Sequence, residues 1–406
     1  YNGYKVYWED GAQITPPHDT GIMGEVKAIS DWNTVKTMDK EEAVKAGLFE
    51  VIGQAVDDAY MAELKKQIIH MDAIQAEGKN LKIVYTPLHG TGNVPVRRVL
   101  RELGFNQVYV VKEQKVPDGN FPTCPYPNPE EKAALKLAVE LADKKNADLV
   151  LATDPDADRV GIAVKTKNGY QLLNGNETGV LMENYIFSLR KKTDKTPVFV
   201  KTIVTSDMSG DIAKAYGAEV KEVLTGFKYI GETIDQLTSD EQYVFGMEES
   251  YGYLVGAHAR DKDAVSAAMI IAEMTAYYVS QNKSLTEKLN ELYEKYGYYK
   301  TALLSLAFPG KDGKAEMNEI VAELRKNPWQ TICGEKVTVK DYLNGLNGLP
   351  KSNVLAFAGK NVKITVRPSG TEPKLKIYFQ TKADSEQNAE ILLQKLKEQA
   401  ENLIKK

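Results

Sequence analysis

The six residues Asp154-Pro155-Asp156-Ala157-Asp158-Arg159 hold three carboxylates at alternate positions, directly after an apolar run. That spacing aims several oxygens at one point, which is what a hard cation such as Mg²⁺ takes as ligands. With no cation between them, three crowded carboxylates would raise one another's pKa. A calcium loop does not fit, because its sixth position would be Arg159 rather than Gly and its twelfth Lys165 rather than Glu. The competing reading is a solvated acidic turn. The Pro inside and the Arg directly after argue against it. Arg159 has the chemistry to hold a phosphate beside a metal.

Two other stretches carry similar weight only in company. Arg367-Pro368-Ser369-Gly370-Thr371-Glu372-Pro373-Lys374 combines a guanidinium, an ammonium, two hydroxyls and a Gly that lets backbone approach closely. Those are the parts of a phosphate clamp, and equally of a charged β-hairpin turn. Gly246-Met247-Glu248-Glu249-Ser250-Tyr251-Gly252 offers paired acids and a hydroxyl that can receive sugar hydroxyls. A helix N-terminus with acids favouring the dipole reads it as well. Thr225-Gly226-Phe227-Lys228 and His89-Gly90-Thr91-Gly92 are Gly turns leading into helices, able to cradle an anion or simply to turn the chain. His18, His70 and His258 show no partner spacing. Arg260-Asp261-Lys262-Asp263 reads as a solvated, self-paired charge run.

The elements that must position these residues follow from hydrophobic periodicity. Ile83-Val84-Tyr85 is a strand, and Val96, Val99, Leu100 and Leu103 recur at helical spacing until Gly104. Val108–Val111 is the next strand, which makes a βαβ unit with parallel strands. Asn128, Pro129 and Glu131 predict a capped helix start, and the helix runs to Lys144-Lys145. Strands at 148–152, 198–204, 218–223 and 243–245 each end in one of the polar loops, the place where open α/β sheets bind ligands. A long helix is expected from Ala264 to Gln281. Past residue 305, β alternation at 362–367 and 374–380 and a helix over 385–404 suggest a small α+β domain.

Composition sets outer bounds. The 406 residues, 43% hydrophobic and 27% charged, suit a soluble protein of two to four domains at roughly 100–200 residues each. A net charge of -4 disfavours nucleic acid as a partner. Cys124 and Cys333 form no disulfide framework or metal finger. No apolar run spans a bilayer and no signal peptide is evident. A cytoplasmic protein of unknown oligomeric state is expected. The chain opens on Tyr1 rather than Met, which suggests a cleaved, truncated or partial product.

The order Asp154–Arg159, Thr225–Lys228, Gly246–Gly252, Arg367–Lys374 resembles the α-D-phosphohexomutase superfamily, and most of all bacterial phosphoglucomutases related to phosphopentomutases. The likeness covers the whole chain. It implies tandem mixed or parallel three-layer α/β domains plus a C-terminal α+β domain: 1–57 as the end of a first domain, 58–188 with the metal loop, 189–304 with the sugar loop and 305–406 with the phosphate loop. It further implies Mg²⁺ on Asp154, Asp156 and Asp158. Sugar contacts fall to Glu248 and Ser250, with Thr225 and Gly226 beside them. A phosphate clamp is made by Arg367, Ser369, Gly370, Thr371 and Lys374. Arg159, Lys5 and Lys228 become candidates for charge stabilisation or proton transfer. The family's phosphoserine motif has no match here, so the segment holding it is expected to be missing and this stretch alone to be inactive. Two phosphoryl transfers through glucose 1,6-bisphosphate would interconvert glucose 1-phosphate and glucose 6-phosphate. Phosphopentomutase and phosphomannomutase are the nearest alternatives. A sugar-phosphate and metal-binding fragment without turnover is the alternative of another class.

Overall fold

The computed structural model describes residues 5–310, 312–369 and 373–404. The first stretch forms a short hairpin bridged at Tyr7 and Gln13, then α1 (His18–Ala28) and α2 (Lys40–Lys45), neither of which carries a buried residue. Ala12 and Ile14 of the hairpin are buried. Helices α3 (Gly53–Lys65) and α4 (Met71–Glu77) follow and bury Met61, Leu64, Ala73 and Ile74.

The first sheet has the order β2-β1-β3-β4-β5, with β1 Lys82–Thr86, β2 Gln107–Val110, β3 Leu149–Thr153, β4 Val160–Thr166 and β5 Gly169–Leu173. β1 pairs parallel with β2 and β3, as the βαβ pattern predicts. The connecting α5 (Asn93–Leu103) buries Val96, Val99, Leu100 and Leu103 and stops at Gly104 in the left-handed conformation. Helix α6 (Lys132–Lys145) starts later than its cap signals predict. Asn128 Oδ1 accepts from Glu130 N–H two residues on, at 3.1 Å, and so closes a local turn instead of capping the helix.

Helix α7 (Gly175–Leu189) leads to the second sheet, ordered β7-β6-β8-β9, with β6 Thr196–Thr202, β7 Glu219–Val223, β8 Glu241–Glu248 and β9 Gly252–Val255. Between its strands lie α8 (Asp207–Ala215) and α9 (Phe227–Asp235). β8 runs three residues beyond the expected strand, and a turn returns it antiparallel into β9. The Gly246–Gly252 stretch is therefore strand, turn and strand, not a helix N-terminus. Helix α10 (Ala264–Ser280) is buried almost all round. It packs on α4, α5, β3 and β4 and also on α7 and β9, so the first two sheets share one continuous core. A helix apolar on every face can be stable only between layers. Its one buried acid, Glu273, accepts at Oε1 from Ile69 N–H at 2.9 Å, from Tyr185 O–H at 2.8 Å and from His70 N–H, while its Oε2 is buried without a partner; burial pushes its carboxyl above the ordinary carboxylate range.

After α11 (Leu285–Tyr296), the third sheet is antiparallel in the order β10-β16-β15-β14-β13. Its members are β10 (Tyr298–Ala307), β13 (Thr338–Asp341), β14 (Leu355–Ala358), β15 (Val362–Pro368) and β16 (Lys374–Ala383). A small hairpin, β11 (Thr331–Ile332) and β12 (Glu335–Lys336), stands beside it. Helices α12 (Gly313–Lys326) and α13 (Glu386–Ile404) cover one face, where Ile364, Val366, Ile377 and Phe379 form a separate core. By the two-residue period, Lys363, Arg367, Lys376, Tyr378 and Gln380 are left on the opposite face, toward the second sheet. Among the described residues no helix is long and apolar enough to cross a membrane.

Candidate active site

The aspartate loop leaves β3 and folds back on its own first residue. Asp154 is buried, and its Oδ1 accepts from Asp158 N–H and Arg159 N–H, each at 2.9 Å. Ala157, at φ +55°, makes the reversal possible. One ligand oxygen from each of Asp154, Asp156 and Asp158 then falls within 4.8 Å of the others. Burial and the charges of Asp158 and Asp156 push the Asp154 carboxyl up to about 8. An all-oxygen cluster with one carboxyl raised by burial and like charge suits a hard dication. Cationic side chains converge on the same atoms. Lys5 Nζ is 2.6 Å from Asp158 Oδ2 and 3.1 Å from Asp156 Oδ2. Lys262 Nζ is 2.8 Å from Asp158 Oδ2 and 3.2 Å from Asp261 Oδ1. Burial would raise the Asp158 carboxyl, but Lys262 and Lys5 outweigh it and hold the group at about 2.

Lys262 corrects the reading of 260–263 as a solvated run. Arg260 pairs with Asp235 at 2.7 Å, and Asp261 accepts from Tyr7 O–H at 2.7 Å. Asp263 caps α10 through Val265 N–H and Ser266 N–H and also accepts from Tyr60 O–H at 2.9 Å. His258 Nε2 lies 2.8 Å from Asp263 Oδ2. The sequence held one unused signal for this: an Asp directly before a long apolar run is a helix cap, which orients the whole turn.

The sugar-loop candidates stand beside the aspartates because two sheets touch here. Arg159 and Gly252 form an antiparallel bridge. Arg159 reaches Glu130 at 3.3 Å and, through Nε, lies 3.7 Å from Asp158. Glu248 closes β8, and its Oε1 accepts from Gly226 N–H at 2.9 Å. Gly226, at φ +122°, holds a conformation that side chains resist. Glu249 is held by Thr202 and Thr205 hydroxyls at 3.1 and 3.4 Å. Burial and the neighbouring Glu248 push its carboxyl up to about 7. The loop passes so close to α7 that a Cβ on Gly175 would meet Glu249 O at 2.0 Å.

Arg159, the sugar-loop candidates and the third sheet face one cavity of about 540 Å³. Arg159, Thr225, Gly226, Glu248, Ser250 and Arg367 line its walls, and Lys262 and Tyr378 also face it. Arg367 lies opposite Lys376 across β15 and β16. Ser369 N–H donates to Lys374 O at 2.8 Å and closes the base of their turn. Gly370 and Thr371 lie outside the described residues. Lys5 sits in a neighbouring recess with Asp156, Asp158 and Lys262. Lys228 is not brought to the cavity. Its ammonium pairs with Asp19 at 3.4 Å and lies over the Tyr229 ring.

Residues 58–169, 174–296 and 307–396 match, in order, the alpha/beta/alpha domains II and III and the C-terminal domain of phosphoglucomutase/phosphomannomutase. A phosphoglucomutase of Staphylococcus saprophyticus is 35% identical over 401 residues, 95% of this chain and 72% of the relative. One from Staphylococcus aureus is 35% identical over 396 residues, 94% of this chain and 70% of the relative. Among solved structures, parafusin (phosphoglucomutase) from Paramecium shares the fold with a TM-score of 0.68 at 18% identity, over 86% of this chain and 62% of that one. A Burkholderia thailandensis phosphoglucomutase/phosphomannomutase family protein does so with a TM-score of 0.59 at 16% identity, over 86% and 64%. The chain thus spans about seven tenths of these curated relatives and under two thirds of these solved chains. By its ordered domain matches and its identity to curated members, the chain belongs to the phosphoglucomutase/phosphomannomutase family.

Proposed function

We propose that this chain carries out the metal, sugar and phosphate handling of a phosphosugar mutase that interconverts glucose 1-phosphate and glucose 6-phosphate, with glucose 1,6-bisphosphate as intermediate. The observation that carries the reading is the meeting of Arg159, Glu248, Ser250 and Arg367 around one cavity, next to the aspartate cluster. The loops fall in three domains, which we divide near residues 188 and 304, with residues 1–57 as the end of another.

Asp154, Asp156 and Asp158 would hold Mg²⁺, which when bound neutralises charge on a phosphoryl group in transfer. Arg159 presents its guanidinium to the phosphoryl group beside the aspartates. Glu248 and Ser250 take sugar hydroxyls, and Thr225 and Gly226 form the adjoining wall. Arg367, with Ser369, Gly370, Thr371 and Lys374, holds the phosphate that is not reacting. Exchange at both ends of one sugar requires this clamp and the Glu248 carboxylate to accept the substrate in two orientations. Lys5 and Lys262, both paired with Asp158, are our candidates for steadying charge at the transferring oxygen. Lys228 has the weaker claim, because it neither lines the cavity nor pairs with the aspartate cluster, its partner being Asp19.

The test is turnover of glucose 1-phosphate to glucose 6-phosphate by the full-length protein with Mg²⁺ and catalytic glucose 1,6-bisphosphate, followed by a coupled dehydrogenase. Turnover of pentose or mannose phosphates in its place would reassign the substrate. Bisphosphate and Mg²⁺ binding without any turnover would favour the binding-only reading.

A further inference from the structure

We infer that Asp207 and Lys363 form the joint that sets where Arg367 stands over the cavity, which makes both of them positioning residues for the phosphate-holding side of the site. The inference rests on the mutase reading above.

Asp207 opens α8 and faces the third sheet. Its Oδ1 receives Lys201 Nζ at 2.9 Å and Lys363 Nζ at 3.0 Å. Its Oδ2 receives Lys363 Nζ at 3.2 Å and Gln380 Nε2 at 2.8 Å. Its own N–H donates to Gln380 Oε1 at 2.7 Å. Glu222 completes the cluster, 3.0 Å from the buried Lys201. Two cations and two anions therefore meet at the seam between the second and third sheets. Around them the contact is apolar: Val204 and Leu224 on one side, Tyr342, Val354 and Tyr378 on the other. Apolar surfaces hold such layers together without choosing their alignment, whereas a part-buried ion cluster whose central carboxylate accepts from Lys201, Lys363 and Gln380 together favours one alignment.

That alignment reaches the cavity along rigid backbone. Lys363 and Arg367 lie on the same strand and the same face, four residues or about 13 Å apart. Gln380 and Tyr378 repeat this on β16, with Tyr378 and Arg367 both lining the cavity. On the other side, the turn before Asp207 carries Thr205, which with Thr202 holds Glu249 of the sugar loop. One turn thus grips the sugar loop with its first part and the Arg367 strand with its last. The spacing between Glu248 and Arg367, which must match a sugar with a phosphate at either end, is set at Asp207.

Lys363→Met removes the cross-seam cation and leaves Asp207 paired with Lys201. Gln380→Leu loosens the same joint without touching a charge. Titration with glucose 1,6-bisphosphate should show roughly tenfold weaker binding for Lys363→Met, a smaller loss for Gln380→Leu and near wild-type binding for Lys363→Arg. Mg²⁺ affinity, measured separately, should not move. In an Arg367→Ala background, Lys363→Met should cost little more, because it acts through Arg367. Wild-type binding with an unshifted Lys363→Met, or an equal loss in the Arg367→Ala background, overturns this inference alone. A wild-type protein that does not bind the bisphosphate overturns the mutase reading, and this inference falls with it.

Discussion

Arg159 and Gly252 face each other in an antiparallel bridge, and the next amide, Val160 N–H, donates to Tyr251 O at 3.1 Å. Through these few backbone atoms the aspartate loop of the first sheet and the sugar loop of the second become one surface. The aspartate cluster and the Glu248–Ser250 turn therefore share a frame, and a change in either loop is transmitted at the bridge.

Removing charge from the aspartate loop should be felt first as lost metal. Asp158→Asn is expected to lower Mg²⁺ affinity by at least about tenfold, since even outer partners of metal ligands are worth 10- to 100-fold. Calorimetric titration with Mg²⁺ measures this. Chelation should abolish turnover by the full-length protein, and added Mg²⁺ should restore it.

Arg367 offers a charged, two-pronged donor. A charge-assisted hydrogen bond contributes about 1.5–3 kcal/mol, so Arg367→Ala should weaken glucose 1,6-bisphosphate binding by roughly 10- to 150-fold. Arg367→Lys should recover only part of the loss, because an ammonium cannot reproduce the planar fork. Unchanged binding by Arg367→Ala would remove this residue from the clamp.

Glu249 makes a pH-dependent contribution whose sign follows from its environment. Burial and Glu248 raise its carboxyl from an ordinary 4.5 to about 7. The folded state then binds this proton more tightly than the unfolded chain does. Stability from this group is complete below about pH 4.5 and is lost as pH rises to about 7. Glu249→Gln mimics the protonated acid and should lose that dependence. Its Tm relative to wild type should be more favourable at pH 8 than at pH 5, by an amount corresponding to at most about 3 kcal/mol. Parallel Tm curves across this range would contradict the assignment.

Gly175 tests the close approach of α7 to the sugar loop. A methyl group there would meet Glu249 O at 2.0 Å, so backbone must shift. Gly175→Ala is expected to destabilise by about 1–3 kcal/mol and to raise the KM for sugar phosphate, while Mg²⁺ affinity changes little. Denaturant melts and steady-state kinetics on one preparation separate these effects.

Much of the scaffold was legible because it is local. The 3.6-residue spacing of Val96, Val99, Leu100 and Leu103 and the Gly104 stop describe α5 as it stands. Alternation around 362–380 marked β15 and β16. Where a side chain had two possible partners, local reading failed. Asn128 serves Glu130 and not the helix four residues on. Lys262 looked self-paired with its neighbours, but Asp158, more than a hundred residues away in sequence, has the stronger hold on it.

By itself the sequence determined which chemical groups this protein commands: three aspartates at alternate positions, a Glu-Glu-Ser turn and an Arg-Pro-Ser-Gly hairpin, each at the end of a strand that its own periodicity defines. Only the tertiary structure decided which of those groups meet. It put Lys5 and Lys262 on Asp158, turned Lys228 away to Asp19, and joined the Arg367 strand to Asp207. The division has a physical cause. Strand and helix periods are set by neighbours along the chain, whereas an ammonium pairs with whichever carboxylate packing brings within reach once both have left water.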